Sequence, residues 1–119
     1  MSISERASAG IRQLPEREQP VSEQFRVIAK QWVELDGAAR FLEDTASAVK
    51  SQMMKRLGDV PAAHAKRDVE ASPEWLDHIR KTVSARTAAN TKKVHMEFLR
   101  MRFSEWQSAE ANSRAERRL

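Results

Sequence analysis

The sequence predicts an all-α protein built around a long antiparallel helical hairpin, and three observations lead to this fold class. The chain of 119 residues has only three glycines and four prolines, so few residues interrupt helices. Charged residues make up 32% of the chain and hydrophobic residues 40%, a balance typical of helices with one solvated face. Apolar residues recur three and four positions apart along two long segments, as in amphipathic helices.

Residues 1–21 form a polar segment that contains Pro15 and Pro20 and shows no sustained hydrophobic period. Such a composition buries too little apolar surface to order itself, so we expect a disordered or loosely attached arm. The segment lacks the apolar core of a secretory signal, and no apolar run in the chain approaches the roughly 20 residues of a membrane span. These features predict a cytoplasmic protein with no membrane association.

The first long helix is predicted over residues 22–57. Ser22 is a good N-cap, and Glu23 follows in the first turn, where the helix dipole favours an acidic residue. Gly58 with a proline shortly after it is a stop signal. The apolar positions alternate at spacings of three and four, which predicts a coiled-coil-like seam. This seam consists of Phe25, Ile28, Trp32, Leu35, Ala39, Leu42, Ala46, Val49 and Met53.

The second long helix is predicted over residues 72–112, after a connector of residues 58–71 that has room for a short helix behind Pro61. Ser72 is the expected N-cap, followed by a proline and an acidic residue. Residues 113–119 are expected to be a basic tail. The connector is short enough for the two long helices to pack as an antiparallel hairpin.

The expected seam of the second helix is less regular, because its spacing is 3, 4, 4, 3, 4, 4, 3. Its middle is polar, at Thr87 and Asn90. An Asn inside a seam fixes the register and the oligomeric state of a coiled coil. The alternative is that Asn90 lies at the solvent-exposed edge of the seam. The seam consists of Leu76, Ile79, Val83, Thr87, Asn90, Val94, Phe98 and Met101.

A second apolar stripe lies on another face of the second helix, within residues 96–106. One partner helix cannot cover so wide an apolar arc, and a two-helix hairpin alone buries little surface. We therefore expect a homodimer with a four-helix arrangement, and the alternative is cover by residues 1–20. The residues expected at the oligomer or partner interface are Phe25, Trp32, Met96, Phe98, Leu99, Met101, Phe103 and Trp106.

The net charge of +4 comes from the last part of the chain, where residues 72–119 hold ten basic and six acidic side chains. Contacts to nucleic-acid phosphates require basic side chains on one side of the helix. The alternative interpretation is that these residues form an ordinary solvated helix face. The residues considered for nucleic-acid contact are Lys81, Lys92, Lys93, Arg100, Arg114, Arg117 and Arg118.

No motif in the sequence predicts a reaction. The chain has no cysteine, and its three histidines, His64, His78 and His95, lack the spacing of metal ligands on a helix. There is also no glycine-rich phosphate loop and no nucleophile motif. We therefore expect a non-enzymatic protein with no catalytic residues, no cofactor and no metal site.

The stretch LRMRFSEWQSAEANSRAE, residues 99–116, resembles small proteins of tailed bacteriophages that are encoded among early DNA-metabolism genes. The resemblance covers residues 71–119 and, more loosely, WVELDGAARFLEDTASAVKSQMM at residues 32–54. It implies an accessory protein of phage DNA recombination or replication in a bacterial host cell, with a protein partner from phage or host DNA metabolism. It implies no catalytic or binding residues.

The leading hypothesis is therefore an accessory protein that acts through protein–protein contacts, with weak nucleic-acid binding as a possible addition. Two alternatives belong to other classes of function. One is an inhibitor of a host defence or nuclease complex, and the other is a structural coiled coil or scaffolding part of a virion.

Overall fold

The protein is all-α, as the sequence predicts. The computed structural model describes Ser2, Ile3, Arg6 and residues 19–118, and this part of the chain contains no strand. Fifteen of the 21 residues of the predicted arm therefore lie outside the described residues, and its last residue, Val21, is helical and not part of an arm. The main helices are α1 (Val21–Asp44), α2 (Ala46–Arg56), α3 (Ala62–Glu70) and α4 (Pro73–Arg118).

The first predicted helix is divided into α1 and α2 by a turn at Thr45. The Thr45 hydroxyl donates a hydrogen bond to the carbonyl oxygen of Phe41 at 2.6 Å, a contact that bends helices. The backbone N–H of Thr45 also donates to Phe41, and that of Val49 donates to Thr45, both at 3.0 Å. The helical hydrogen bonds therefore continue through the turn, so the interruption is local.

Helix α1 begins one residue before the predicted N-cap, because the Pro20 carbonyl accepts hydrogen bonds from the N–H groups of Glu23 and Gln24 at 3.0 Å. The predicted stop is confirmed. Gly58 adopts a left-handed φ of 80°, and its N–H donates to the Lys55 carbonyl at 3.1 Å. Only glycine adopts this conformation without strain.

The connector forms the short helix α3, and the predicted cap of the second long helix is confirmed. The Ser72 hydroxyl oxygen accepts a hydrogen bond from the N–H of Trp75 at 3.2 Å. Helix α4 then continues to Arg118, although the sequence predicted an end near residue 112. Residues 113–118 are therefore part of the helix and not a separate tail.

The predicted seam of the first segment is confirmed, because every one of its residues from Phe25 to Met53 is buried or half-buried. Ile28 and Ala39 are the most deeply buried of them. Ala39 has no side chain beyond Cβ, which leaves room for a neighbouring helix to approach closely. The strict alternation of three and four residues thus identified the packing face of α1 and α2.

The predicted seam of the second long helix is wrong, because all of its residues from Leu76 to Met101 are exposed. The packing face of α4 lies on the other side of the helix and has the strict alternation of three and four residues that α1 and α2 share. Trp75, Ala89 and Leu99 are its buried members. The buried and half-buried positions of this face are Trp75, His78, Thr82, Ala85, Ala89, Lys92, Met96 and Leu99.

The chain divides into two compact units, and residues 33–90 form one of them. In this unit Arg86 of α4 joins two carboxylates of α1, with hydrogen bonds of 2.7 Å to Asp36 and of 2.6 Å and 3.1 Å to Glu43. The Lys50–Glu70 ion pair at 3.1 Å links α2 to α3. These contacts help to select the observed face of α4, because Arg86 lies beside that face.

The Arg86 contacts predict a specific pH dependence. The hydrogen bond from Arg86 lowers the pKa of the Glu43 carboxyl below its ordinary value of 4.5, more than burial raises it. A lowered pKa in the folded state stabilises the fold above about pH 4.5, and this contribution is lost as the pH falls through the lowered value. We expect Arg86→Gln to be less stable than the wild type at pH 7, with a smaller difference at pH 3.

Urea unfolding at both pH values measures this effect, and Arg80→Gln on the exposed side of the same helix is the matched control. For the control, the difference in unfolding free energy from the wild type should not shrink between pH 7 and pH 3. An Arg86→Gln deficit that stays constant from pH 7 to pH 3 would contradict the assigned pairing with Glu43.

Candidate protein-interaction surface

The second compact unit consists of residues 1–32 and 91–119, and it contains all the residues predicted from the sequence to form an interface. The structure separates these residues into two groups by their exposure. Phe25, Trp32 and Met96 are half-buried, and Leu99 is buried at 1% exposure. The exposed group consists of Phe98, Met101, Phe103 and Trp106. Of the eight predicted interface residues, only these four expose a large part of their side chains to a partner.

The buried member, Leu99, is covered from within the unit. It lies at the floor of a groove of about 410 Å³ whose lining is largely apolar. Helix packing thus accounts for part of the second apolar stripe expected from the sequence, because α1 covers residues on the same face of α4 as Leu99. The groove is lined by Val21, Ser22, Phe25, Leu99, Arg100 and Phe103.

An aromatic pair, defined here as Phe103 and Trp106, extends from the rim of this groove. Their ring centroids are 5.9 Å apart and the ring planes differ by 25°. Both side chains are exposed, although aromatic side chains of this size usually gain free energy when they leave water. Residues spaced three apart on one helix hold the rings side by side, so the pair presents one continuous apolar surface.

Two arginines flank the exposed aromatic surface. The Arg100 guanidinium lies 5.2 Å from the ring centroid of Phe25, and that of Arg102 lies 6.0 Å from the ring centroid of Phe98. Both are within the range of cation–π interactions. The surface therefore combines an apolar centre with positive charge at its edge.

The basic residues that were considered for nucleic-acid contact differ in their exposure and in their contacts. Lys81 is exposed and paired with Asp77 at 3.1 Å, and Lys92 is half-buried in a groove that Ile28 also lines. Arg100 is exposed and lies on Phe25. The other exposed members are Lys93, Arg114, Arg117 and Arg118.

Sequence reasoning missed the exposed apolar residues Leu76, Ile79, Val83 and Val94 as surface residues, because it assigned them to the core. The apolar pattern gave no signal for the correct assignment, because three positions of the packed face, His78, Thr82 and Lys92, are polar.

Among residues 19–118 and the three described near the N-terminus, no group of three or more histidine, aspartate or glutamate side chains is arranged to hold a metal ion. His78 stacks on Trp75, with ring centroids 5.3 Å apart, and its Nε2 atom is buried without a hydrogen-bond partner. None of the described helices is both long and apolar enough to cross a membrane.

Comparisons of this chain with protein-family models, with curated proteins and with solved structures found no match.

Proposed function

We propose that this chain is a non-enzymatic accessory protein of phage DNA recombination or replication, which acts in the cytoplasm of the bacterial host by binding another protein. The single observation that carries the proposal is the exposed aromatic pair beside an apolar groove. Exposed apolar surface of this kind marks interaction sites, and aromatic residues with arginine are enriched at the centres of protein interfaces. The phage resemblance supplies the biological context.

The surface favours a partner segment with a particular chemistry. The groove has room for a few apolar side chains, since about 410 Å³ is within the usual size of a binding pocket. Arg100 at its rim favours a carboxylate next to those side chains, because a guanidinium binds carboxylates through two parallel hydrogen bonds. The proposed partner therefore presents an apolar residue beside an acidic one.

Nucleic-acid binding is a weaker part of the proposal. Lys93, Arg114, Arg117 and Arg118 are exposed, and contacts to phosphates need exposed cations. So few cations support only weak binding, which falls steeply as salt rises. Contact with a protein partner is therefore the main proposed activity, and any nucleic-acid contact adds to it.

The double variant Phe103→Ala/Trp106→Ala should lose the partner and keep the fold, because both side chains are exposed in the chain itself. The measurement is affinity capture of the tagged chain from a bacterial lysate, with and without nuclease. We expect a protein of DNA recombination or replication that is retained after nuclease treatment by the wild type and lost from the double variant.

The matched control is Leu57→Ala/Val60→Ala, which removes two exposed apolar side chains from another part of the chain. It should capture the partner as the wild type does, and circular dichroism should show all three proteins equally helical. Capture that disappears with nuclease would contradict the proposal. Capture of a host defence or nuclease complex would favour the inhibitor hypothesis instead.

A further inference from the structure

The last part of α4 continues the period of its packed side. In the unit that includes residues 91–119, Lys92, Met96 and Leu99 are half-buried or buried and follow one another at spacings of four and three. The same alternation of four and three continues without interruption almost to the end of the helix. The continuing positions are Phe103, Trp106, Glu110, Ser113 and Arg117.

This continuation extends past the beginning of α1. Helix α1 begins at Val21, which lines the groove together with Phe103. All residues from 101 to 118 are exposed apart from Glu110 and Ser113, which are half-buried. Positions that repeat the period of a helix-packing face, on a segment that is itself helical, have the arrangement to pack against a further helix.

Charge is segregated around this part of α4. At about 100° per residue, the half of the helix surface centred on Phe103 and Trp106 contains all five arginines of residues 97–118. It contains only one of the four glutamates, Glu110, and therefore has a formal charge of +4. This half is called here the aromatic–arginine face. Its arginines are Arg100, Arg102, Arg114, Arg117 and Arg118.

Three of these guanidinium groups contact groups that carry no negative charge. Arg100 and Arg102 lie 5.2 Å and 6.0 Å from the ring centroids of Phe25 and Phe98, and Arg117 donates a hydrogen bond of 3.0 Å to the hydroxyl oxygen of Ser113. Such contacts hold a guanidinium group in place without neutralising its charge. The positive charge of these side chains is therefore able to attract carboxylates of a partner.

We infer that the aromatic–arginine face binds an acidic amphipathic helix of the partner protein. The inference deepens the proposed function and rests on it for the assignment of the aromatic pair to a protein partner. Apolar side chains of the helix pack on Phe103 and Trp106, and its carboxylates pair with the arginines. Because residues 103–117 rise by about 21 Å, a partner helix of about 14 residues covers the face.

The positions of the arginines favour carboxylates on both flanks of the partner helix. Arg102 lies about 70° to one side of the aromatic pair, and Arg100, Arg114 and Arg118 lie about 50–90° to the other side. Pairs between a guanidinium and a carboxylate are strong among hydrogen bonds, because both groups are charged and the bonds can be bidentate. A helix with acidic residues on both sides of its apolar stripe therefore complements this face.

Glu110 favours a protein over a nucleic acid as the occupant of this face. Its half-buried carboxylate lies within about 10° of the centre of the face, with arginines on both sides. A nucleic-acid backbone carries a negative charge at each nucleotide and would bring phosphates close to this carboxylate. A protein helix instead places an uncharged or basic residue opposite Glu110 and keeps its own carboxylates at its flanks.

Two designed peptides test the inference with the purified full chain. Each has about 14 residues with leucines at spacings of three and four, and the flanks are glutamate in the acidic peptide and glutamine in the neutral peptide. Fluorescence anisotropy of the labelled peptides measures both affinities. The acidic peptide should bind about tenfold more tightly at low salt, since several exposed ion pairs add their contributions. This preference should shrink at about 1 M salt, where charges are screened.

Variants of the chain locate the effect. Arg102→Gln/Arg114→Gln should reduce the preference to about threefold or less and keep the affinity for the neutral peptide. Trp106→Ala should weaken the binding of both peptides. The matched control, Lys66→Gln/Arg67→Gln, removes two exposed positive charges from α3 and should keep the full preference. Circular dichroism should show all of these proteins equally helical.

Equal affinities of the wild type for the two peptides, or no binding of the acidic peptide at about 1 mM, would overturn the inference. It would also be overturned by a labelled single-stranded oligonucleotide that binds more tightly than the acidic peptide and loses this affinity in Arg102→Gln/Arg114→Gln. Each of these outcomes is compatible with nuclease-resistant capture of a natural partner from lysate. Failure of the inference is therefore distinguishable from failure of the proposed function.

Discussion

Leu99→Ala should destabilise the protein by about 2–5 kcal/mol, the usual cost of truncating a buried leucine. Leu99 is 1% exposed and is the one large side chain among the described residues that is buried almost completely. It lies on the packing face of α4, where it lines the groove together with Phe25 of α1. The truncation removes apolar contacts and leaves a cavity that the surrounding helices fill only in part.

Urea unfolding at one fixed protein concentration measures the effect, and Leu57→Ala is the matched control. Leu57 is 41% exposed and does not line the groove, so the same substitution should cost less than about 1 kcal/mol. Equal losses in the two variants would show that the assigned packing face of α4 is incorrect.

Trp75→Ala should destabilise the protein by about 3–5 kcal/mol, because the indole is the largest buried side chain of the unit formed by residues 33–90. The ring stacks on His78 with a centroid separation of 5.3 Å and an angle of 19°. The Lys50 ammonium lies 4.8 Å from the ring centroid, in a cation–π contact that links α2 to α4. Removing the indole ends both contacts and uncovers apolar surface.

Trp75→Phe keeps an aromatic ring at this position and should lose much less stability than Trp75→Ala. A double-mutant cycle of Trp75→Ala with Lys50→Met separates the contribution of the cation–π contact, and a coupling of about 0.5–2 kcal/mol is expected. Thermal unfolding followed by circular dichroism measures the four proteins of the cycle and Trp75→Phe. A loss in Trp75→Ala no greater than that in Trp75→Phe would contradict the assigned burial.

The α1–α2 segment was predictable because its sequence contains only one strong apolar period. The positions from Phe25 to Met53 alternate without interruption, and most of the residues between them are charged or otherwise polar. The Gly58 stop and the Ser72 cap were predictable for the same reason, since each depends on a local conformation or a local hydrogen bond. Only the turn at Thr45 was unexpected, and its cause is a side-chain hydrogen bond that a preference scale does not represent.

The face of α4 was not predictable from hydrophobicity, because this helix has two faces with apolar residues. The exposed face contains the larger number of branched and aromatic side chains, including Ile79, Val83 and Phe98. The packed face includes Ala89, whose small side chain allows close approach, and lies beside Arg86, which reaches Asp36 and Glu43. The number of large apolar residues thus favoured the face that is exposed, whereas the fit to α1 favoured the face that packs.

The candidate interface was predicted in part. The sequence indicated that residues 96–106 hold more apolar side chains than one helix can cover, and the exposure of Phe103 and Trp106 agrees with this. It could not indicate that Leu99 belongs to the interior, because that depends on the rotation of α4 about its axis. The same rotation exposes Val94 and Phe98 and half-buries Lys92, which changes both the protein-binding and the nucleic-acid hypotheses.

The fold class, the helical segment with the Phe25–Met53 seam, the stop at Gly58 and the cap at Ser72 all follow from the local pattern of the chain. These features depend on interactions within a few residues of the chain, and each has one dominant local solution. Which face of α4 packs and which remains exposed depends on tertiary packing. The face that packs is the one that fits α1 better along its whole length. The free energy of this fit depends on side-chain shape and on ion pairs between residues as distant in sequence as Asp36 and Arg86.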